Sequence, residues 1–243
     1  MRKGKSKGPA RPAKPAALEM SPAAPSQTRR TAPKSQNVSA RFVSPGKRYD
    51  HHEPMRIIAG EYRRRTLKSL PGVEIRPTYD RLRETLFNVL CSGNPEALAG
   101  STWIDLYAGT GAIGIEALSR GARMVHFVES SKPASDLIAA NLKSLGIVTG
   151  FQIIRSEVVK GLRQLDAAGN PADIVFLDPP YSMQEEYANT LAALAGSKLV
   201  QERTLVIAEH EKRFDPGEAF GELRRYRKLT QGDAALSFYR FVA

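Results

Sequence analysis

Cysteine is nearly absent. Cys91 stands alone among 243 residues, which excludes an internal disulfide and a cysteine-rich zinc site and points to the reducing cytoplasm. The four histidines suggest no metal centre, and none is expected. Long apolar runs are missing too. No stretch approaches the ~20 apolar residues that span a bilayer. The start of the chain lacks the continuous apolar core of a signal peptide, so no membrane association is expected. Acidic residues are scarce in one place only. Residues 1–52 hold 2 Asp/Glu against 12 Lys/Arg, a net of +10, whereas the remainder holds 23 against 24, a net of +1. That first segment is also rich in Pro, Ala, Ser and Lys and poor in apolar periodicity, the composition of a disordered tail. A flexible basic arm suits a polyanion through counterion release, so nucleic-acid contact is expected of it. Residues 53–243 are left to form the folded unit, and 42% apolar residues suffice for its core.

The most informative stretch is Ala172-Asp173-Ile174-Val175-Phe176-Leu177-Asp178-Pro179-Pro180-Tyr181. A short apolar run bounded by turn formers fits a strand buried on both faces. It must stop at the prolines, which have no N–H for a sheet ladder. Each proline also holds the residue before it extended. Asp178 and Pro179 therefore stand rigid at the carboxyl end of a central strand, the edge where open α/β sheets bind ligands. The Asp178 carboxylate and the Pro179 carbonyl are both acceptors. Together they suit an exocyclic amino group with two N–H donors. Tyr181 adds a flat ring on which a base can stack.

From Thr102 onward the pattern alternates strand and helix, as in a parallel α/β sheet. Strands are predicted at 102–106, 124–128, 151–155, 173–177 and 204–209, and helices at 112–120, 133–145, 157–165 and 184–195. Residues 224–229 and 235–242, joined at Gln231-Gly232-Asp233, read as an antiparallel edge hairpin. Ahead of this catalytic sheet (100–243), residues 55–92 read as a small hairpin through Thr66 and then a helix. Thr78 or Asp80 is placed to cap that helix. Arg63, Arg64 and Arg65 decorate the hairpin as candidate RNA contacts. Arg81 and Arg83 suit either a solvated helix face or a ligand.

Gly109, Gly111 and Gly114 follow the first predicted parallel strand and open a helix. Such glycines let backbone approach a ligand and expose the helix N-terminus to it. Glu129, at the end of the next strand, can accept both hydroxyls of a ribose. NAD and S-adenosylmethionine both fit this much. Asp105 repels a pyrophosphate, and hydride transfer has no use for two acceptors and a stacking ring. S-adenosylmethionine is therefore the expected cofactor.

With these residues the chain resembles the bacterial 16S rRNA (guanine-966-N2)-methyltransferase family, from about Met55 to Val242. The resemblance is carried by Arg56-Ile57-Ile58-Ala59-Gly60, Arg76-Pro77-Thr78, Arg83-Glu84-Thr85-Leu86-Phe87-Asn88, Asp105-Leu106-Tyr107-Ala108-Gly109-Thr110-Gly111 and Asp178-Pro179-Pro180-Tyr181. It implies a Rossmann-like, seven-stranded class I methyltransferase sheet, mostly parallel. It implies methylation of the exocyclic N2 of a guanine in 16S rRNA, within an assembling small ribosomal subunit. Gly109, Thr110 and Gly111 would line the methionine end of the cofactor, Asp105 its ammonium and Glu129 its ribose. Arg76 and Thr78 would close over it. Asp178, Pro179 and Tyr181 would hold the target base. One departure concerns the adenine, where the family shows Asp in a Gly-Asp-Ala-like turn. Here the turn is Arg155-Ser156-Glu157-Val158, and Glu157 is the nearest carboxylate. Two rivals remain: an adenine-N6 methyltransferase of DNA or another RNA, and a non-catalytic RNA-binding assembly factor.

Overall fold

The computed structural model describes residues 55–69, 77–169 and 171–242, residues 77–80 by backbone alone. The basic tail and Arg76 lie outside the described residues. The elements run in the order α1 (Pro77–Leu90), β1 (Thr102–Leu106), α2 (Ala112–Ser119), β2 (Met124–Glu129), α3 (Lys132–Leu145), β3 (Phe151–Arg155), α4 (Val158–Ala168), β4 (Ile174–Leu177) and α5 (Gln184–Ala195). After these come β5 (Leu205–Glu211), β6 (Ala219–Phe220), β7 (Leu223–Gln231) and β8 (Ala234–Phe241).

All eight strands form one sheet in the order β3-β2-β1-β4-β5-β8-β7-β6. The first five are parallel, and β8, β7 and β6 add on antiparallel. The expected seven strands become eight because Ala219 and Phe220 pair with Arg224 and Leu223. Every residue of β4 is buried. Ile174 and Phe176 enter one core with Trp103, Phe127 and Phe238. Val175 and Leu177 enter the other with Leu162, Tyr187 and Leu191. A strand sealed on both faces can carry an unbroken apolar run. Gly114 lets α2 lie close on the sheet, since a Cβ there would stand 2.3 Å from the Phe127 ring.

The chain leaves β1 towards β2 and β3 and later returns to β4 on the other side of β1. This is the topological switch point of the sheet, and the crevice there opens at the carboxyl ends of β1 and β4. Among the described residues no helix is long and apolar enough to cross a membrane.

The expected N-terminal hairpin is reduced to a loop with a single antiparallel bridge, Arg56 to Thr66. Ile57, Arg64 and Leu67 donate across it to Arg65, Ile57 and Met55, but other backbone groups are committed elsewhere. The N–H groups of Ile58 and Ala59 donate to Glu116 Oε2 and Oε1 of α2, at 2.7 and 3.0 Å. Tyr62 N–H donates to Ser119 Oγ, and Lys68 N–H to Asn141 Oδ1 of α3. Glu116 is fully buried and also accepts from Arg120 Nε at 2.8 Å. Glu116→Ala leaves two backbone donors and a guanidinium without their acceptor. We expect it to lower unfolding free energy by about 3 kcal/mol, a buried charged acceptor being lost, as measured by urea denaturation. The helix α1 opens at Pro77, which suits a first helical position because its missing N–H is not needed there. Thr78 and Asp80 thus fall within the first turn and not at the cap. Arg81 is exposed, whereas Arg83 is buried and donates to the Arg56 carbonyl at 2.6 Å.

Candidate active site

Three neighbouring strands each end an apolar run on a carboxylate. In β1 the run reaches Asp105, after β4 it reaches Asp178, and in β5 it reaches Glu209. The pairing of Leu177 with Ala208 brings the next residues, Asp178 and Glu209, side by side on adjacent strands. All three line one cavity of about 630 Å³ at the switch point.

Burial sets the electrostatics of this cavity. It pushes Asp105 up to about 8, with the charges of Asp178 and Glu129 adding to the effect and the Gly114 N–H, 2.9 Å from Asp105 Oδ2, opposing it. Burial likewise pushes Asp178 up to about 7. Glu209 is raised well above the usual carboxylate range by burial first and by Asp178 second. Among the described residues its Oε1 has no hydrogen-bond partner. Acids outnumber Arg83, the arginine that lines this cavity, so further positive charge is favoured there. S-adenosylmethionine brings a sulfonium and an ammonium against a single carboxylate. A dinucleotide would instead bring a pyrophosphate against these acids. The residues present fit the first and not the second.

The loop between β1 and α2 supplies the opposite wall. Gly109 N–H donates to Glu129 Oε2 at 2.9 Å, and Ser131 N–H to Glu129 Oε1 at 2.8 Å. Each carboxylate oxygen keeps a second lone pair for a ligand. Gly111 caps α2 in the left-handed region, φ 78°. Tyr107 is left-handed as well, φ 59°, rare for a residue with a side chain. Its hydroxyl meets Glu186 Oε2 at 2.9 Å and Thr190 Oγ1 at 2.8 Å, which ties the loop to α5. Such strain is held only where the surroundings over-determine it.

Asp105, Gly109, Thr110, Glu129, Glu157, Asp178, Pro179 and Tyr181 all line this cavity. Gly111 sits just behind it as the cap of α2. Thr78 lies in the first turn of α1. Arg63, Arg64 and Arg65 are exposed and do not line the cavity. Arg65 Nη2 donates to the Ser144 carbonyl at 2.8 Å, near the end of α3. The Pro179 carbonyl, expected to be unused, accepts from Tyr187 Oη at 3.4 Å, so one lone pair remains fully available. Arg83, for which a ligand role was one of two readings, lines the cavity, and so do Glu209, Met55 and Tyr107, which had not been marked as ligand residues. Glu209 shows the same signal that marked Asp178, an apolar run ending on an acid. Among the described residues no group of three or more His, Cys, Asp or Glu is placed to hold a metal ion.

Comparison with known proteins gives concordant results. The family model described as "Conserved hypothetical protein 95" matches residues 55–240. The Bacillus subtilis protein YlbH is 32% identical over 186 residues, covering 76% of this chain and 98% of its own. Ribosomal RNA small subunit methyltransferase D of Escherichia coli is 37% identical over 139 residues, 56% of this chain and 66% of that protein. Among solved structures, that of yhhF from Escherichia coli superposes with a TM-score of 0.66 at 28% identity, covering 78% of this chain and 98% of that one.

Proposed function

We propose that this chain, which belongs to the family described as "Conserved hypothetical protein 95" and with it to the S-adenosylmethionine-dependent methyltransferases of ribosomal RNA, methylates the exocyclic N2 of a guanine in 16S rRNA. The observation that carries the guanine reading is the pairing of two acids, the half-buried Asp178 and the buried Glu209, beside the Pro179 carbonyl. The Watson–Crick edge of guanine carries donors at its N1–H and N2 amino end, with the O6 acceptor at the far end. That of adenine offers a donor and an acceptor, N6 and N1. The positive charge of the cofactor favours the ionised acids, and with the Pro179 carbonyl they then present a row of acceptors to the target. Guanine satisfies them, whereas adenine sets its N1 lone pair against a carboxylate. The adenine-N6 reading is disfavoured on this ground.

When bound, S-adenosylmethionine supplies a methyl group made electrophilic by the sulfonium. Asp105 would hold its ammonium, Gly109, Thr110 and Gly111 would follow the methionine end, Glu129 would take the ribose and Glu157 the adenine side. Arg76 and Thr78 are proposed to close over it. Asp178 and Pro179 accept the amino hydrogens of the target and turn the nitrogen lone pair towards the methyl group. Tyr181 stacks on the base, which must leave its own stack at a cost of a few kcal/mol. As the nitrogen becomes positive, the Asp178 carboxylate stabilises it and takes the proton it sheds. Burial raises this carboxyl to about 7 in the free protein, and the bound cofactor lowers it again, which leaves it ionised to accept the proton. Rate enhancement then comes from alignment and electrostatics, with no covalent enzyme intermediate.

The protein acts in the cytoplasm, on RNA within an assembling small subunit. Residues 53–243 form the methyltransferase unit, and Arg63, Arg64 and Arg65, with the basic tail 1–52, add phosphate contacts. The substrate class is tested with methyl-labelled cofactor and nucleic acids from a strain lacking the gene. Label should enter small-subunit RNA. Label in DNA, with none in RNA, would reject the assignment.

A further inference from the structure

The edge hairpin β7–β8 is charged in a way that the methyl-transfer site does not use. In β7, Arg224, Arg225, Tyr226, Arg227 and Lys228 follow one another. On one side of the sheet these charges are neutralised. Arg225 bonds Asp215 at 2.6 Å and Glu218 at 3.1 Å, and Lys228 stands 3.7 Å from Asp215. Arg225 in turn holds Asp215 down to about 2.

The other side has no such partners. A bulge between Arg225 and Arg227 breaks the alternation, with Arg224 opposite Arg240 and Arg227 opposite Phe238. Tyr226 is thereby set with Arg240, whose guanidinium lies 5.0 Å over its ring, and its own ring lies 6.4 Å from that of Phe238. Arg227 lies 5.8 Å over Phe238. Tyr226 is 51% exposed, and Arg224, Arg227 and Arg240 are exposed too. Among the described residues none of these three arginines forms an ion pair with a carboxylate. Arg224 donates only to the carbonyls of Gly221 and Leu223. Like charges placed directly opposite, as Arg224 and Arg240 are, cost a sheet stability. The arrangement is therefore poorly explained by folding.

An exposed ring among three unneutralised guanidiniums matches a nucleic-acid strand. Guanidinium binds phosphate oxygens with two parallel hydrogen bonds, and a tyrosine face takes an unstacked base. The location is separate from the cavity. Arg240 pairs with Leu205, whereas Glu209 faces the cavity further along β5. Strand geometry of about 3.3 Å per residue and 4.8 Å between strands puts Arg224 roughly 16 Å of backbone from Glu209.

We propose that Arg224, Tyr226, Arg227 and Arg240 form a second RNA contact, which holds phosphates and one unstacked base of the substrate RNA several nucleotides from the methylated guanine. This rests on RNA being the substrate. It concerns docking and not chemistry.

The test uses the full chain in two variants, Arg224→Gln/Arg240→Gln and Tyr226→Ala, with wild type alongside. Affinity for protein-free small-subunit RNA is followed by fluorescence anisotropy across a salt series. Methyl transfer is followed to separate KM from kcat, cofactor affinity is measured by calorimetry, and thermal melting checks the fold. The arginine variant should raise the KM for RNA about tenfold with kcat and cofactor affinity unchanged. Its slope of log affinity against log salt should be shallower by about 1.5, since about 0.7–0.9 is expected per phosphate released. Tyr226→Ala should weaken RNA binding about tenfold with the slope preserved, the scale of one lost stack. Folded variants with wild-type KM and slope would overturn the proposal. So would a KM that rises on the ribosomal particle while affinity for protein-free RNA stays the same, because a protein would then occupy this face. Failure of the guanine assignment would show separately, in the methylated nucleoside made by wild type.

Discussion

Asp178→Asn should lower single-turnover methyl transfer by about 10²–10³, the cost of removing one preorganised group that stabilises developing charge. Cofactor affinity should stay within about fivefold. The substitution keeps the shape and one acceptor oxygen but removes the charge. Asp178 sits at the carboxyl end of β4, beside Glu209 and the Pro179 carbonyl, where the amino group is proposed to be held. With asparagine there, the amino nitrogen becomes positive without the carboxylate that accepts its hydrogens, and only the neighbouring Glu209 remains to take its proton. The cofactor keeps Asp105, Glu129 and the glycine loop, all on the β1 and β2 side of the crevice. Turnover within about threefold of wild type would reject Asp178 as the catalytic group. A parallel collapse of cofactor affinity would mean that it belongs to the cofactor site instead.

Cofactor binding should strengthen with pH and release protons. In the free protein Asp105 is held at about 8 and Asp178 at about 7, both by burial. A bound sulfonium and ammonium favour the ionised acids, so their pKa values fall on binding. At pH 6 only about 1% of Asp105 is ionised, and linkage then places affinity up to ~100-fold below its plateau above pH 8. Folding of the free protein runs the other way. An unfolded Asp titrates near 3.9, so between about pH 4 and 8 the native state binds more protons than the unfolded one. Stability from this source is fully present below about pH 4 and is lost as pH rises towards 8. The Tm of the free protein should thus fall across that window, while the rise in Tm caused by the cofactor should grow. Calorimetry in buffers of different ionisation enthalpy reads the released protons directly. A flat affinity from pH 6 to 8.5 with no proton release would contradict the arrangement of acids described here.

The parts of the fold that could be read from sequence were those fixed by local pattern. The predicted boundaries of β1 and β3 match, and those of β2, β4 and β5 differ by one or two residues. Each of these strands is an apolar run closed by a turn former or a carboxylate. The two-residue β6 has no period to detect. The segment from Arg56 to Thr66 alternates well enough to suggest strands, but Glu116 and Ser119, nearly 60 positions away in sequence, take the N–H groups of Ile58, Ala59 and Tyr62. No local pattern reports that competition. In the site, the glycine loop and the stretch from Asp178 to Tyr181 were legible because each has its own backbone chemistry. Glu209 carries an equally plain run of apolar residues into an acid, but only the strand order places it beside Asp178. The bond from Tyr187 to the Pro179 carbonyl depends on how α5 returns along the sheet, which the residues alone do not specify.

The account turns on a pair of acids that accepts the amino edge of guanine. Nucleoside mass spectrometry of small-subunit RNA tests it most directly, with small subunits and their free RNA taken from a strain lacking the gene and each incubated with the purified protein and cofactor. The expected result is one new N2-methylguanosine per RNA molecule, absent when Asp178→Asn replaces wild type. Appearance of N6-methyladenosine with no N2-methylguanosine would contradict it.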